Sequence, residues 1–207
     1  SASVSLVGPL ASRAYTDFAA HMTVHLLLGM LSPLLLALAA PITLLFRSLR
    51  IRQARRLSRL LKSAPFRWLN DPAITAILHI GGLWLLYTTG LYDRMHHSFM
   101  VHAFVHFHLF IAGYLFTVSI LSVDPTLHRT SFGYRSVVLL LALTGHGILS
   151  KYVYAHPPAG VPASQAEAGS MLMFYGGDLI DMILIFVLFL QWFRSVKIRP
   201  ALALHEK

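Results

Sequence analysis

Long apolar runs broken by short polar segments set the pattern of this 207-residue chain. A membrane-crossing helix needs about 20 mostly apolar residues. Five stretches qualify: residues 18–46, 73–92, 99–123, 133–154 and 169–193. None shows the two-residue alternation of a barrel strand. The pattern predicts an all-α integral membrane protein, a bundle of about five transmembrane helices forming one domain over residues 1–207. Pro33 and Pro41 fall in the first run and mark expected kinks. Asp178 and Asp181 are the charged residues of the fifth.

The polar segments sort by charge. Arg47, Arg50, Arg52, Arg55, Arg56, Arg59, Lys62 and Arg67 separate the first two runs. Arg129 and Arg135 separate the third and fourth, and Arg194, Lys197, Arg199 and Lys207 follow the fifth. These alternate segments hold 14 basic residues; the opposite set holds 3, namely Arg13, Arg94 and Lys151. Cytoplasmic loops carry the excess of Lys and Arg, so the N-terminus is expected outside and the C-terminus in the cytoplasm. The Arg-rich segment from Ile51 to Leu61 suits a short amphipathic helix on the inner leaflet, against membrane lipid rather than nucleic acid. The chain begins at Ser1 rather than Met, which initiator removal, signal cleavage or trimming would each produce.

Composition sharpens this picture. Hydrophobic residues make up 56% and charged residues 12%, too little polar surface for a water-soluble globule. The absence of cysteine excludes disulfides, thiolate zinc sites and iron–sulfur clusters. Twelve His and seven Met remain as soft and borderline ligands.

With the expected orientation, the histidines share a depth. His21 and His25 lie one and two turns into the first helix, and His102 and His106 repeat that spacing in the third. Residues four apart share a helix face. His146, Met171, Met173 and Asp178 fall at similar depths on the last two helices. The reading gives an upper layer of His21, His102 and Met171 or Met173, and a lower layer of His25, His106, His146 and Asp178. His79 is placed nearer the cytoplasm and left out, as is His108.

Ionisable groups at membrane depth are costly and normally mark function. Two His-x-x-x-His pairs on facing helices offer four nitrogens to one ion. Imidazole suits copper, zinc, iron and nickel, and thioether sulfur favours Cu(I). His, Met and no Cys, facing an oxidising compartment, favour copper, with Cu(I) preferred. The plainer reading of any one intramembrane His is an interhelical hydrogen bond. Met22, Met30 and Met100 read as packing residues. His96 and His97 read as a solvated loop, with a role in metal access as the sharper alternative. Of the two acids, Asp178 is the better candidate ligand or proton acceptor.

These residues also resemble a known family. His21-Met22-Thr23-Val24-His25-Leu26-Leu27-Leu28, then Met30, Ser32-Pro33 and Ala40-Pro41, is similar to the signature first helix of the CtaG family. These are the membrane assembly factors of caa3-type cytochrome c oxidase. Trp84 with Leu91-Tyr92-Asp93, His102-Ala103-Phe104-Val105-His106 and Ala112-Gly113-Tyr114-Leu115-Phe116 add further matches. Met171-Leu172-Met173-Phe174-Tyr175-Gly176-Gly177 and Trp192-Phe193-Arg194 resemble the family's last helix. The chain departs from the family in its count of spans, in Tyr87-Thr88-Thr89-Gly90 where a His-Pro pair is common, and in Asp178. These departures fit a divergent member.

The resemblance implies a factor needed to make active oxidase, handling the copper of its main subunit. The expected function is a copper-binding membrane assembly factor of the bacterial plasma membrane, working with no catalytic step. Its partners would be a cytochrome c oxidase subunit or another copper enzyme, and an extracytoplasmic copper donor. A haem b electron-transfer protein using His25 with His106 or His146 is the alternative. An integral metalloenzyme using Asp178 is a third.

Overall fold

The structure is a computed structural model that describes residues 17–122 and 130–203, with side chains to residue 196. Arg13, Asp124, Arg129 and Lys207 lie outside the described residues. Among the described residues there are only helices and their connections.

Helix α1 spans Phe18–Leu38, with a π-helical stretch at Leu26–Leu31. It begins where the Asp17 carboxylate accepts from the Ala19 backbone N–H at 2.9 Å, satisfying an orphan donor of the first turn. It stops earlier than the apolar run does. Ala40 takes a left-handed conformation (φ 49°), and Pro41 starts a separate, exposed helix α2, Pro41–Ser48. The first span therefore ends near Leu38 rather than Phe46. Proline biases the residue before it away from the helical region, so apolar character alone overran the true end.

Helix α3, Ile51–Leu61, forms as the charge pattern predicts and buries no side chain. Helix α4, Ala64–Leu69, is likewise exposed. Helix α5 spans Pro72–Thr88, capped by Asp71 and carrying a second π-helical stretch at Ile77–Gly81. Its end has a local cause. Thr88 and Thr89 turn their hydroxyls back onto the carbonyls of Trp84 and Leu85, at 2.6 Å each, and Gly90 follows. Helix α6, Leu91–His97, then turns 78° from α5. The second span is thus a helix with a bent end segment instead of a straight run to Tyr92. Helices α7 (Phe99–Leu121), α8 (Phe132–Ala155) and α9 (Ala163–Ala203) complete the bundle. Among the described residues, four helices are long and apolar enough to cross a membrane, or five if α5 and α6 count as one span.

Helix α9 packs against α8 and the first half of α1, while α7 packs against the rest of α1 and the start of α5. Two apolar clusters result. One holds Phe18, Met22, Leu83, Leu109, Leu149 and Met173; the other holds Leu34, Phe116, Ile120, Leu139, Leu184 and Leu188. Between them in chain order lie His25 on α1, His79 on α5, His146 on α8 and Asp181 on α9, all buried. The core is therefore a polar layer held between two greasy ones. Large apolar side chains on the outside, such as Phe104, Leu141 and Phe186, suit contact with lipid.

The backbone departures concentrate at this layer. Pro33 has no N–H to offer the Gly29 carbonyl four residues back. The Ser32 backbone N–H reaches five residues back to the Leu27 carbonyl, which its hydroxyl also meets at 2.6 Å, and the π-helical stretch runs from Leu26, immediately after His25, to Leu31. Helix α7 approaches closely there: a Cβ on Gly113 would collide with the Gly29 carbonyl oxygen. A Cβ on Gly29 would lie 2.9 Å from Leu109 Cγ. Insertions of this kind are frequent at functional sites.

Candidate metal centre

The described connections divide between the two ends of the bundle. At one end Tyr134 donates to Asp71 at 2.9 Å and Arg135 to the Ile120 carbonyl at 2.8 Å. This is the end of the basic connections. At the other, the Phe18 backbone N–H donates to Gln165 Oε1 at 3.2 Å. The histidines cluster towards this second end.

The first group surrounds His21. Its Nε2 is 3.2 Å from the Tyr87 hydroxyl, which also lies 3.6 Å from Met22 Sδ. The rings of His96 and His106 stand 6.3 Å from His21, centroid to centroid, and His102 stacks on His106 at 4.2 Å. His106 Nδ1 is 2.9 Å from the His102 carbonyl, and His96 Nδ1 is 2.9 Å from the Tyr92 carbonyl. A carbonyl can only accept, so Nδ1 carries the proton in both rings and the neutral form has its lone pair on Nε2. That is the tautomer a metal ligand needs.

The second group lies one turn deeper. His25 and His146, each 2% exposed, face one another with centroids 6.2 Å apart and planes within 17°. Neither ring nitrogen of His25, nor Nε2 of His146, has a hydrogen-bond partner in the protein. A buried polar atom without a partner costs about 1–3 kcal/mol, so this pair is expensive as a purely structural feature. His146 is pressed against α9, where a Cβ on Gly177 would lie 2.5 Å from Cε1. Beyond it a cavity of about 20 Å³ is lined by His79, His146, Asp181 and Thr117 among apolar neighbours. That volume suits a water or an ion.

The residues expected from the sequence are thus divided. His21 and His106 approach each other, with His102 half-buried beside them; His25 and His146 form a separate pair. Among the described residues no three His, Asp or Glu side chains converge on one point. The four nitrogens of His21, His25, His102 and His106 are not gathered into one cluster. Met173 is fully buried, whereas Met171 is 50% exposed. Asp178 is exposed and Asp181 is the buried acid, the reverse of the expected roles. The buried stripe of α9 runs through Met173, Gly177, Asp181, Leu184 and Leu188, which leaves Asp178 on another face. His79, left out of the expected site as nearer the cytoplasm, belongs to the buried group, and His96, read as loop with metal access as the sharper alternative, is half-buried. His79 is 4% exposed, stacks on Phe116 at 5.7 Å and has an unpartnered Nδ1. Position along the span hid His79; only the buried face reveals it.

Helical architecture and long apolar spans define a multi-pass membrane protein, with several histidines in its interior. The sequence model of one family, the cytochrome c oxidase caa3 assembly factors, matches residues 1–195, and the chain belongs to that family. Similar proteins include an uncharacterized protein of Mycobacterium leprae, 29% identical over 136 residues, covering 62% of this chain and 21% of the relative. Uncharacterized proteins of Mycobacterium bovis and Mycobacterium tuberculosis are 31% identical over 143 residues, covering 65% of this chain and 22% of each relative. The chain therefore spans about a fifth of the length of these curated relatives. No solved structure matches it.

Proposed function

We propose that this protein holds copper, as Cu(I), during assembly of a cytochrome c oxidase or a related copper enzyme. The observation that carries this reading is the His25–His146 pair, with three unpartnered ring nitrogens inside an apolar bundle. The donor set fits the ion: imidazole binds copper well, and two opposed imidazoles suit a Cu(I) ion of low coordination number. His25 and His146 would be the resident ligands. His21, His102 and His106 stand above them as further imidazoles through which the ion exchanges. Met173 belongs to the packing around the pair. No bond in the cargo is made or broken beyond ligand exchange, so no catalytic group is required. The partner is an oxidase subunit or other copper enzyme in the bacterial plasma membrane, supplied by an extracytoplasmic donor.

Haem has no supporting observation. The cavity beside His146 is about 20 Å³, and α9 closes directly on the ring at Gly177. A metalloenzyme built on Asp178 has none either, since that carboxyl is exposed.

The test is metal analysis of the purified chain after loading with Cu(I) and desalting. Wild type should retain stoichiometric copper and His25→Ala/His146→Ala none; equal retention would remove the site. The orientation is tested separately. The basic connections should face the cytoplasm, so a cytoplasm-active reporter fused at the C-terminus should be active. One inserted between Pro158 and Pro162 should be silent. The reverse pattern would place the histidine end inside the cell.

A further inference from the structure

A vestibule of about 220 Å³ opens at the histidine end, where the start of α1, helix α6 and the turn before α9 meet. Its polar lining is Asp17, Tyr92, Asp93, His96 and Gln165. We propose that this vestibule is the loading site for the ion, with His96 as its first protein ligand; the inference rests on the copper reading above.

The contrast between two adjacent histidines carries it. His97 points outward, 77% exposed, and sits 3.5 Å from Asp93 in an i,i+4 pair of little energetic weight. His96 turns the other way. It lines the vestibule, packs on Tyr92 with centroids 4.6 Å apart, and stands 6.3 Å from His21. The carbonyl of Tyr92 holds its Nδ1 proton at 2.9 Å, which sets the lone pair of the neutral ring on Nε2. The 78° bend after α5 is what lays α6 across the bundle end and delivers this ring to the interior.

From His96 the imidazoles continue inward. His21 is 5% exposed and lies directly behind. His25 follows one turn below on the same face, and His146 is 6.2 Å from His25. Each step is short enough for an ion to gain one imidazole while it releases the last. The Tyr87 hydroxyl contacts His21 Nε2 at 3.2 Å, and its ring stands 6.4 Å from His25, so it lies between the capture and resident positions. Asp17 and Asp93 put negative charge at the mouth, and a cleft lined by one sign of charge concentrates the opposite ion. Asp17 also caps α1, whereas Asp93, in the first turn of α6, makes no capping hydrogen bond and is the acid to change.

A loading ligand and a resident ligand differ in what their loss does. Cu(I) is presented to the detergent-solubilised full chain as a coloured, exchangeable chelate, and its transfer is followed by stopped-flow absorbance. His96→Ala and His96→Gln should each slow transfer by at least about tenfold, the scale of gains from a focusing cleft. Final stoichiometry should be unchanged. His97→Ala should load like wild type. Asp93→Asn should slow loading at low ionic strength, with the difference shrinking as salt screens the charge. Wild-type rates in both His96 variants overturn the proposal, as does a fall in final stoichiometry, which would make His96 a resident ligand. Wild-type protein that takes up no copper overturns the copper reading and this one with it. Normal wild-type loading with unaffected His96 variants overturns this one alone.

Discussion

His25→Leu is expected to abolish high-affinity copper binding while leaving the metal-free protein as stable as wild type, or more stable. The two halves come from the same observation. Both ring nitrogens of His25 are buried without a partner, in van der Waals surroundings that include Tyr87 and the first turn of the π-helical stretch. Replacing an unsatisfied polar group with an apolar one of similar size removes its desolvation cost, which is about 1–3 kcal/mol. A histidine kept for structure behaves in the opposite way, because its hydrogen bonds would be lost. For binding, each single change, His25→Ala or His146→Ala, removes half of a two-imidazole set. A loss of at least about 100-fold is expected from each, about 2.8 kcal/mol at 1.4 per decade. The double variant should lose little more than either single one, because ligands of one ion act as a unit and such neighbours are not additive. Isothermal titration with Cu(I), beside thermal melts of metal-free protein, reads both halves. Additive losses, or a His25→Leu protein that melts well below wild type, would make the pair structural.

The class of the molecule was plain from apolar run lengths, but the layering was not: His106, expected beside His25 and His146, stands with His21 and His102. His21, His25, His106 and His146 are buried as expected from their places on the spans. What the runs did not carry was azimuth. Asp178 and Asp181 are three apart, and only the phase of the α9 stripe through Met173, Gly177 and Leu184 decides which one is inside. That phase was readable in principle from the spacing of Gly177 and the leucines, but depth was weighed first. For His79 no such signal existed, and for His96 the solvated loop and the metal-access role both stayed open. His79 follows the start of a π-helical stretch, which rotates everything after it by an extra residue. His96 depends on the turn at Thr89 and Gly90, whose direction is set by tertiary packing. The end of the first span was hidden for a different reason: residues 41–46 are as apolar as a membrane core, and Pro41 alone marks the break.

The close crossing of α1 and α7 makes the second large effect. Gly113→Ala should destabilise the protein by at least about 2 kcal/mol, within the range of overpacking changes, and should weaken copper binding although no ligand is touched. The added methyl would meet backbone, the Gly29 carbonyl, with Pro33 Cγ at 3.2 Å on its far side. A flexible side chain could swing away from it; a carbonyl within a helix moves only if the helix moves. Gly29 lies four residues after His25, within the π-helical stretch that starts just after it, so any retreat of α1 shifts His25 relative to His146, which α9 holds at Gly177. Gly133→Ala is the matched control. Nothing lies within 4 Å of the Cβ it would gain, and alanine within a helix is favoured over glycine by roughly 0.5–1 kcal/mol. Thermal melts of the two variants should therefore move in opposite directions, and copper affinity should fall only for Gly113→Ala. Should Gly113→Ala melt and bind as wild type does, the crossing would not be what sets the distance between the two imidazoles.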